Sequence, residues 1–460
     1  MHNRMKDDES GSNKGAKAWG TAIAKMKDAK QKYGYTYQLY NNYNIFLLPE
    51  EERQEEYDRI QKVNEIRRLQ RRMRVNEVVK RTGWSYERAD EEMKATFRLT
   101  GMGSLNYINN EVYKVPLEEQ EEWHKQFIAD RMERIRLENR RYIQKVADKT
   151  GWTFEEAREK MADAVNRTGV SYDEYYHYRF YERDEETQST YSTPRNRMYY
   201  VAKYNLNDTI TKIMQNKAAT NVYFSECINR AWCINTEISK EDFIEKFADL
   251  KKVFYKPLSG MHGDWAQAFE INRDNAGEVY DILSGYEEGV VEQYIVQHHS
   301  LRELSQSAVA TLRVVSIAST RRPITTDGKM VDIVFCMLKM GGKDSVVDNL
   351  INGGLGAGVD METGRVCTNA VDIEGVFHET HPGTGVKIKG FEVPHFEKAV
   401  QMVIDTCKNK RIDGYFGWDV AIMEDGPELI ELNRSPSEML LQLPYAEERR
   451  GMNYIYDRFI

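Results

Sequence analysis

The stretch that decides the fold of this 460-residue chain lies at residues 417–434, with the sequence GWDVAIMEDGPELIELNR. Two apolar runs flank a turn at 424–426, which predicts a β-hairpin. Alternation puts Glu431 and Asn433 on one face, and we expect Asp419 of the partner strand on the same face. Oxygen ligands of this kind suit Mg²⁺. The hairpin therefore predicts a metal site whose two carboxylates lie in an open cleft.

A glycine-bearing loop follows an apolar run upstream of the hairpin. The run at 251–257 ends in Lys-Pro, and Ser259, Gly260 and Gly263 follow. Glycines let a backbone approach a phosphate closely, and Lys256 supplies a point charge. This pattern predicts a phosphate site under a moving loop, although a plain strand and turn explains it equally well.

Two charged residues interrupt runs that otherwise have the composition of buried strands. Glu292 lies in the run 290–297, where a buried carboxylate needs a partner. A hinge that binds adenine through its backbone and ribose through a carboxylate would supply one. Arg313 lies in the run 308–317, and such an arginine usually faces an anion. A structural ion pair is the alternative interpretation.

The first part of the chain has a helical composition and repeats itself. Thr-Gly-Trp-Ser at 82–85 recurs as Thr-Gly-Trp-Thr at 150–153, and a weaker copy at 34–49 matches 101–116. We therefore expect an α+β protein, in which all-α repeat units of about 67–68 residues stack on each other. The predicted domains are 1–185 and 195–460, with the polar stretch 183–197 as linker. The repeats are a scaffold covering the second domain or a module that docks a protein partner or substrate.

Composition and charge exclude several classes of protein. The formal net charge is -8, which argues against a general nucleic-acid binder. No run reaches the roughly 18–20 apolar residues of a membrane span, and no secretory signal is recognisable. Five cysteines without metal spacing indicate a reduced, cytoplasmic protein. His378 and His381 resemble a metal pair, but without an evident third ligand we interpret them as loop residues.

The order of these motifs resembles that of ATP-grasp enzymes. The motifs are Lys-Pro with its glycine loop, Glu-Gln-Tyr-Ile at 292–295, Thr-Leu-Arg at 311–313, Val-Asp-Asn at 347–349 before two glycines, and the Gly-Trp-Asp hairpin. The last two look most like the branch called sugar-transfer-associated ATP-grasp, and the resemblance covers about 169–460. It implies two lobes that hold ATP and Mg²⁺ between them.

The resemblance also implies roles for individual residues. Nucleotide contacts would come from Lys217, Lys256, Ser259, Gly260, Gly263, Glu292, Gln293, Tyr294 and Ile295, and Mg²⁺ contacts from Asp419, Glu431 and Asn433. Catalytic contacts to the transferring phosphate or the acceptor carboxylate would come from Arg313, Lys339 and Arg434. Lys339 departs from the family, because many ATP-grasp enzymes have an arginine on that strand, and a lysine offers a compact charge instead of a fork.

The function that the resemblance implies is that of an ATP-dependent carboxylate-amine ligase. A carboxylate would be activated as an acyl phosphate and then captured by an amine or a similar nucleophile. A saccharide or peptide-like acceptor fits the branch name by association alone. The alternatives are a phosphotransferase with the same nucleotide site and a non-catalytic ATP-binding interaction protein.

Overall fold

A computed structural model describes residues 50–205, 208–214, 216–258, 266–306, 308–343, 348, 350–448 and 450–459. The chain divides into two compact units, Met1–Lys114 and Val115–Ile460. The second unit therefore includes helices that the sequence analysis assigned to the helical domain 1–185. The predicted limits of 1–185 and 195–460 for independently folding domains remain a prediction, and the weaker repeat copy at 34–49 lies outside the described residues.

The described part of the first unit is helical. Its elements are α1 (Glu50–Thr82), α2 (Tyr86–Thr100), α3 (Ser104–Asn109) and a 3-10 turn at Val112–Lys114. Val75 and Val78 of α1 and Ala89 of α2 are buried. Ser85 caps α2 by accepting the Arg88 N–H at 3.2 Å, which satisfies a free amide of the first turn.

The second unit also begins with a long helix, a helix of 15 residues and a helix of six residues, and further helices follow. They are α4 (Gln120–Thr150), α5 (Phe154–Thr168), α6 (Tyr172–His177), α7 (Glu185–Ser189), α8 (Pro194–Tyr204), α9 (Asp208–Met214) and α10 (Lys217–Tyr223). One apolar core joins α4, α5, α6 and the aromatic residues that follow, with Val146, Met161, Tyr178 and Phe180 at its centre. Met439, from much later in the chain, packs against this core.

A Thr-Gly turn ends four of these helices, α1, α2, α4 and α5. Each threonine hydroxyl donates to the carbonyl four residues earlier and accepts the N–H two residues later. Each following glycine has a φ between 69° and 80°, the left-handed conformation that glycine adopts at low cost. The recurring dipeptide thus has a local structural reason, and the interpretation of these helices as repeat units remains a proposal.

Most of residues 183–197 are helical and some of their side chains are buried, so their interpretation as a linker is wrong. α7 and the start of α8 lie in this stretch, and Ser192 and Thr193 are fully buried. The Gln442 side chain accepts the Ser192 N–H at 2.8 Å and donates to the Ser192 carbonyl at 2.7 Å. Backbone groups of this polar stretch are thus hydrogen-bonded inside the protein. Composition alone does not distinguish such a stretch from one whose polar residues face water.

The first sheet has four antiparallel strands in the order β1-β4-β2-β3. The strands are β1 (Trp232–Ile234), β2 (Lys252–Pro257), β3 (Gln267–Glu270) and β4 (Gly289–Gln293). Helices α11 (Lys240–Phe247) and α12 (Ala276–Ser284) share one apolar core with this sheet.

The second sheet has seven strands in the order β11-β10-β5-β6-β7-β8-β9. They are β5 (Thr311–Ala318), β6 (Val331–Met340), β7 (Leu355–Val359), β8 (Ala370–Val371), β9 (Phe377–His378), β10 (Gly414–Ile422) and β11 (Pro427–Arg434). The helices beside it are α13 (His299–Leu304), α14 (Phe396–Asn409) and α15 (Glu438–Gln442). Every residue of β5 and β10 is buried, so charged side chains on these strands need partners inside the protein.

The combination of helices and two antiparallel sheets agrees with the predicted α+β class. Among the described residues, no helix combines the length and the apolar character needed to cross a membrane.

Candidate active site

The predicted hairpin forms and brings three predicted metal ligands together. Asp419 on β10 is the register partner of Glu431 on β11, and a bulge follows Asp419. The Asn433 side-chain amide lies 3.2 Å from Asp419 Oδ2 and 3.1 Å from Glu431 Oε1. The structure therefore places all three side chains at one point of the sheet.

Asp419 is not in an open cleft, contrary to the sequence-based expectation. It is only 2% exposed, because β10 is covered on both faces. Arg313 of β5, its register partner, binds both carboxylate oxygens, with Nη2 at 2.8 Å from Oδ2. Lys339 Nζ lies 3.2 Å from the same Oδ2 and 3.2 Å from Asp348. Two of the three cations of the predicted catalytic set, Arg313 and Lys339, thus neutralise a predicted metal ligand.

We call this group the Asp419 network; its members are Thr311, Arg313, Lys339, Asp348, Asp419, Glu431 and Asn433. Its strands lie side by side in the order β11-β10-β5-β6, so side chains from all four reach the same point. The Thr311 hydroxyl donates to Asp348 and holds that carboxylate beside Lys339. Asp348 is described, whereas Val347 and Asn349 of the same motif lie outside the described residues.

The two carboxylates of the hairpin have opposite pKa shifts. Burial alone would raise the pKa of Asp419, but the charges of Arg313 and Lys339 outweigh it and hold that pKa below its usual range. Glu431 is reached by solvent, yet enclosure by the surrounding protein, and then the charge of Asp419, raise its pKa. Glu431 is therefore the member of the pair that lacks sufficient positive charge.

The donor set fits a hard divalent cation. Glu431, Asn433 and Asp419 offer carboxylate and amide oxygens, the ligands that Mg²⁺ prefers. Burial first, and then the neighbouring Asp419, raise the pKa of Glu431, and a nearby cation would stabilise its charged form. Since Asp419 already bonds Arg313 and Lys339, Glu431 and Asn433 are the more accessible donors.

A second buried network holds Lys256, the predicted phosphate lysine. Lys256 Nζ lies 2.7 Å from Glu292 Oε2. The other oxygen of Glu292 accepts from Asn221 at 2.9 Å and from Arg230 at 3.0 Å. Arg230 also binds Glu428 of β11 and donates to the Leu429 carbonyl at 2.9 Å. We call this the Glu292 network; its members are Asn221, Arg230, Lys256, Glu292 and Glu428.

Glu292 is a buried counter-ion and not an open carboxylate. It is 3% exposed, and both its oxygens are engaged. Burial alone would raise its pKa, but the charges of Lys256 and Arg230 hold it below its usual range. A contact to ribose, as predicted from sequence, would require one of these partners to move.

The remaining hinge residues are partly engaged in the first sheet. The Gln293 N–H donates to the Ala231 carbonyl at 2.8 Å, and the Tyr294 N–H donates to the Lys252 carbonyl at 3.1 Å. These two amides are therefore not available to adenine in this arrangement. Ile295 follows them and is half-buried.

Lys217 lies close to the end of β2. Its Nζ donates to the Pro257 carbonyl at 2.9 Å, which places it next to the strand that carries Lys256. Burial, and then the charge of Lys256, lower its pKa. Two lysines whose charges repel in this way form a place where an anion is favoured.

Other predicted residues lie at the margin of the site or beyond the described chain. Arg434 ends β11 and is exposed. Ser259, Gly260 and Gly263 lie outside the described residues. His381 is buried with Nε2 at 2.7 Å from the Gly341 carbonyl, and His378 lies 3.1 Å from Asp372, so these two histidines have separate partners.

Sequence reasoning missed Arg230, Asn221 and Glu428, and it included Asp348 in a motif without assigning it a role. Arg230 precedes β1 by two residues and meets Glu428 across 198 positions of sequence. The available signal was Glu292 itself, since a carboxylate on a buried strand demands a cation. That signal indicates that a partner exists without saying where it lies in the chain.

One protein family matches the part of the chain that contains most of these residues. Residues 268–453 match the model of the sugar-transfer associated ATP-grasp family, so this segment is similar to ATP-grasp enzymes of that branch. The resemblance is thereby confirmed for these residues, which include both networks except Asn221, Arg230 and Lys256; residues 169–267 lie outside the match.

Solved structures show only distant similarity. D-alanyl-alanine synthetase A from Vibrio cholerae is 11% identical over 53% of this chain and 62% of its own, with a TM-score of 0.31. The D-alanine-D-alanine ligase from Coxiella burnetii is 10% identical over 55% and 58%, with a TM-score of 0.31. N5-carboxyaminoimidazole synthetase from Staphylococcus aureus is 8% identical over 52% and 47%, with a TM-score of 0.30. In none of the three does the chain span two thirds of the solved protein, and no curated protein matches it.

Proposed function

We propose that this chain is an ATP-dependent ligase that activates a carboxylate as an acyl phosphate and joins it to an amine or a similar nucleophile. The observation that carries this proposal is the Asp419 network inside the segment that matches the family. It combines two buried cations, Arg313 and Lys339, with the solvent-reached carboxyl of Glu431. Such a group can bind both the anionic substrate and the cation that accompanies ATP.

Lys217 and Lys256 are the proposed contacts of the nucleotide phosphates. Lys217 at the start of α10 bonds the Pro257 carbonyl next to Lys256, and burial, then the charge of Lys256, lower the pKa of Lys217. A triphosphate would relieve this repulsion. Lys256 would exchange Glu292 for a phosphate oxygen, while Arg230 and Asn221 would keep Glu292 satisfied.

Glu431, Asn433 and Asp419 would hold Mg²⁺ together with the phosphates. The bound ion neutralises the triphosphate charge that would otherwise repel an incoming carboxylate. Arg313 provides the planar donor pair that matches a carboxylate or phosphate. Lys339, held by Asp348 and Asp419, adds a point charge at the same place.

The proposed chemistry has two steps. A carboxylate oxygen of the substrate bonds to the γ-phosphorus while the bond to the bridging oxygen breaks, and that electron pair leaves with ADP. The amine nitrogen then attacks the acyl carbon, loses a proton, and expels phosphate. The protein residues act by orienting the two anions and balancing their charge.

A screen of carboxylates with amines tests the proposal. We expect ADP and free phosphate to form only when the carboxylate, the amine and Mg²⁺ are all present. ADP formation with one acceptor and no free phosphate would indicate the alternative phosphotransferase. If the protein binds ATP but forms no ADP with any combination of carboxylate and amine, the non-catalytic interaction protein is favoured.

Glu431→Gln is the matched inactive variant for this screen. Glu431 is reached by solvent, so the substitution should leave the folded state intact and lower ADP formation by about 100-fold or more. Asp425→Asn removes an exposed carboxylate from the turn of the same hairpin and should have no effect. Equal activity of the two variants would remove Glu431 from the site.

The finer predictions are part of the same proposal. They are a saccharide or peptide-like acceptor, docking of a partner on the helical region, and a cytoplasmic location. The acceptor screen addresses the first of these directly.

A further inference from the structure

Three of the nine histidines of the chain meet outside the candidate active site. His298 and His299 lie at the start of α13, and His395 lies at the start of α14. All three surround Glu424 in the turn between β10 and β11. The ligand atoms of His298, His299 and Glu424 lie within 4.8 Å of one another, and no other such group of three His, Cys, Asp or Glu occurs in the described part of the chain.

The two distances from Glu424 to the imidazoles are compatible with a metal coordination sphere. Glu424 Oε2 lies 3.1 Å from His299 Nδ1 and 3.5 Å from His298 Nε2. Ligand bonds of 2.0–2.1 Å in a tetrahedron place neighbouring ligand atoms about 3.3 Å apart. An ion could therefore enter the group with small side-chain adjustments.

Hydrogen bonds outside the cluster orient its members. His298 Nδ1 lies 2.8 Å from the Ser300 hydroxyl and accepts the Ser300 N–H at 3.3 Å, which turns Nε2 toward the cluster. With an ion bound at Nε2, the ring proton would lie on Nδ1, where the Ser300 hydroxyl can accept it. The His299 N–H donates to Glu424 Oε1 at 2.8 Å, and His395 Nε2 lies 3.0 Å from the Glu424 carbonyl. Outer contacts of this kind fix ligand orientation in metal sites.

An ordinary surface ion pair explains the cluster less well. His298 Nε2 and His299 Nδ1 face the same Oε2 of Glu424, and the 3.5 Å from His298 is longer than an ordinary hydrogen bond. Arg302 is the other cation near Glu424, and its Nη2 lies 3.7 Å from Oε1. Two imidazoles that point at one carboxylate oxygen are better explained by a shared ion.

We propose that His298, His299 and Glu424 bind a divalent first-row transition-metal ion, with water completing the coordination. Two imidazole nitrogens and one carboxylate suit Zn²⁺ and its neighbours better than Mg²⁺. The His298 N–H also donates to the Ile422 carbonyl at 2.8 Å. The ion would therefore tie the turn of the β10–β11 hairpin to the segment that follows β4.

Zn²⁺ titration of the full-length protein in excess Mg²⁺ tests this site. Excess Mg²⁺ occupies oxygen-rich sites, including the proposed one at Glu431, and competes poorly for imidazole. We expect one Zn²⁺ per chain by calorimetry and a rise in Tm, because an ion that binds only the folded state stabilises it. His299→Ala and Glu424→Gln, which change exposed side chains, should each weaken Zn²⁺ binding by at least about tenfold.

His378→Asn is the matched control, since His378 faces the single carboxylate of Asp372 without a second imidazole. It should bind Zn²⁺ as the unsubstituted protein does. Co²⁺ provides an independent readout, because its visible spectrum should show nitrogen ligation that is lost in His299→Ala. Equal Zn²⁺ affinity in all variants, or an absence of binding at micromolar Zn²⁺, would overturn the proposal.

Discussion

The Glu292 network and the Asp419 network are built from similar groups but meet solvent differently. Each places two cations on a buried carboxylate: Lys256 and Arg230 on Glu292, and Arg313 and Lys339 on Asp419. The Glu292 network continues inward through Arg230 to the buried Glu428, whereas the Asp419 network ends at the solvent-reached Glu431. Buried charge alone therefore does not identify a reactive site. We propose the Asp419 network as the reactive one of the two because it ends in a carboxyl that solvent reaches.

The largest effect should come from Asp419→Asn. The substitution leaves Arg313 and Lys339 buried with less compensating charge, which should lower the free energy of unfolding by about 3–5 kcal/mol. Acceptor-dependent ADP formation should fall by about 1000-fold. Denaturant unfolding and ADP assays measure the two losses.

A double-mutant cycle with Arg313→Met separates these losses. Removing both charges should restore part of the stability and none of the activity. Recovery of ADP formation in the double variant would mean that Arg313 and Asp419 form a structural pair like that of Arg230 and Glu428.

Arg230→Met should reduce stability without a comparable effect on catalysis. Glu428 would stay buried without its cation, at a cost of about 3–5 kcal/mol. We expect kcat per folded molecule to change little, because Arg230 contacts Glu428, the Leu429 carbonyl and Glu292 and is not among the proposed contacts of the nucleotide or of Mg²⁺. Arg273→Met is the control: its exposed pair with Asp249 should contribute at most about 1 kcal/mol. A collapse of kcat with unchanged stability would instead assign Arg230 to the reaction.

Glu292→Gln should lower stability in a pH-dependent way, by about 3 kcal/mol at neutral pH. The folded-state pKa of Glu292 lies below its usual range, so its stabilising effect is present above the unfolded-state pKa of about 4.3. That effect is lost as pH falls through the folded-state pKa. The difference between the two proteins, measured by urea unfolding, should therefore narrow below about pH 4. A constant difference from pH 7 to pH 3 would contradict the buried ion pair.

The smallest expected effect is the difference in stability loss when Asn221 of the Glu292 network or Asn433 of the Asp419 network is replaced by alanine. Asn221 is fully buried and donates to Glu292, so Asn221→Ala should cost about 2 kcal/mol. Asn433 is half-buried, and water can replace its amide, so Asn433→Ala should change stability by no more than about 0.5 kcal/mol. Thermal unfolding of both variants measures the two losses of stability. Equal losses would show that the Asp419 network is as inaccessible to water as the Glu292 network.

Sequence alone predicted the parts of the site that depend on local alternation. The hairpin, the juxtaposition of Glu431 with Asn433, and the position of Asp419 opposite them follow from a period of two along adjacent strands. The burial of Asp419 could not be predicted in this way, because it depends on β5 and on the layers that cover both faces of the sheet. Arg230 was missed for a related reason, since its two carboxylates lie on different sheets.

The same limit applies to the helical region and its predicted boundary. The Thr-Gly turns are local, and their residues define where helices end. The stretch 183–197 was interpreted as a linker because it is polar without a period. Its burial depends on Gln442, which is 250 positions away from Ser192. A contact over such a distance leaves no pattern in the stretch itself.

The Gln442 contact has a consequence for biosynthesis. Gln442 also donates to the Tyr178 hydroxyl at 3.2 Å, and Met439 packs on the same core as Tyr178. At a synthesis rate of roughly 5–20 residues per second, about 10–50 s pass between translation of Ser192 and of Gln442. During that interval the aromatic residues around Tyr178 lack their cover on the nascent chain. Molecular chaperones that bind exposed aromatic segments should therefore associate with ribosomes translating the second half of this protein, and release should follow synthesis of α15.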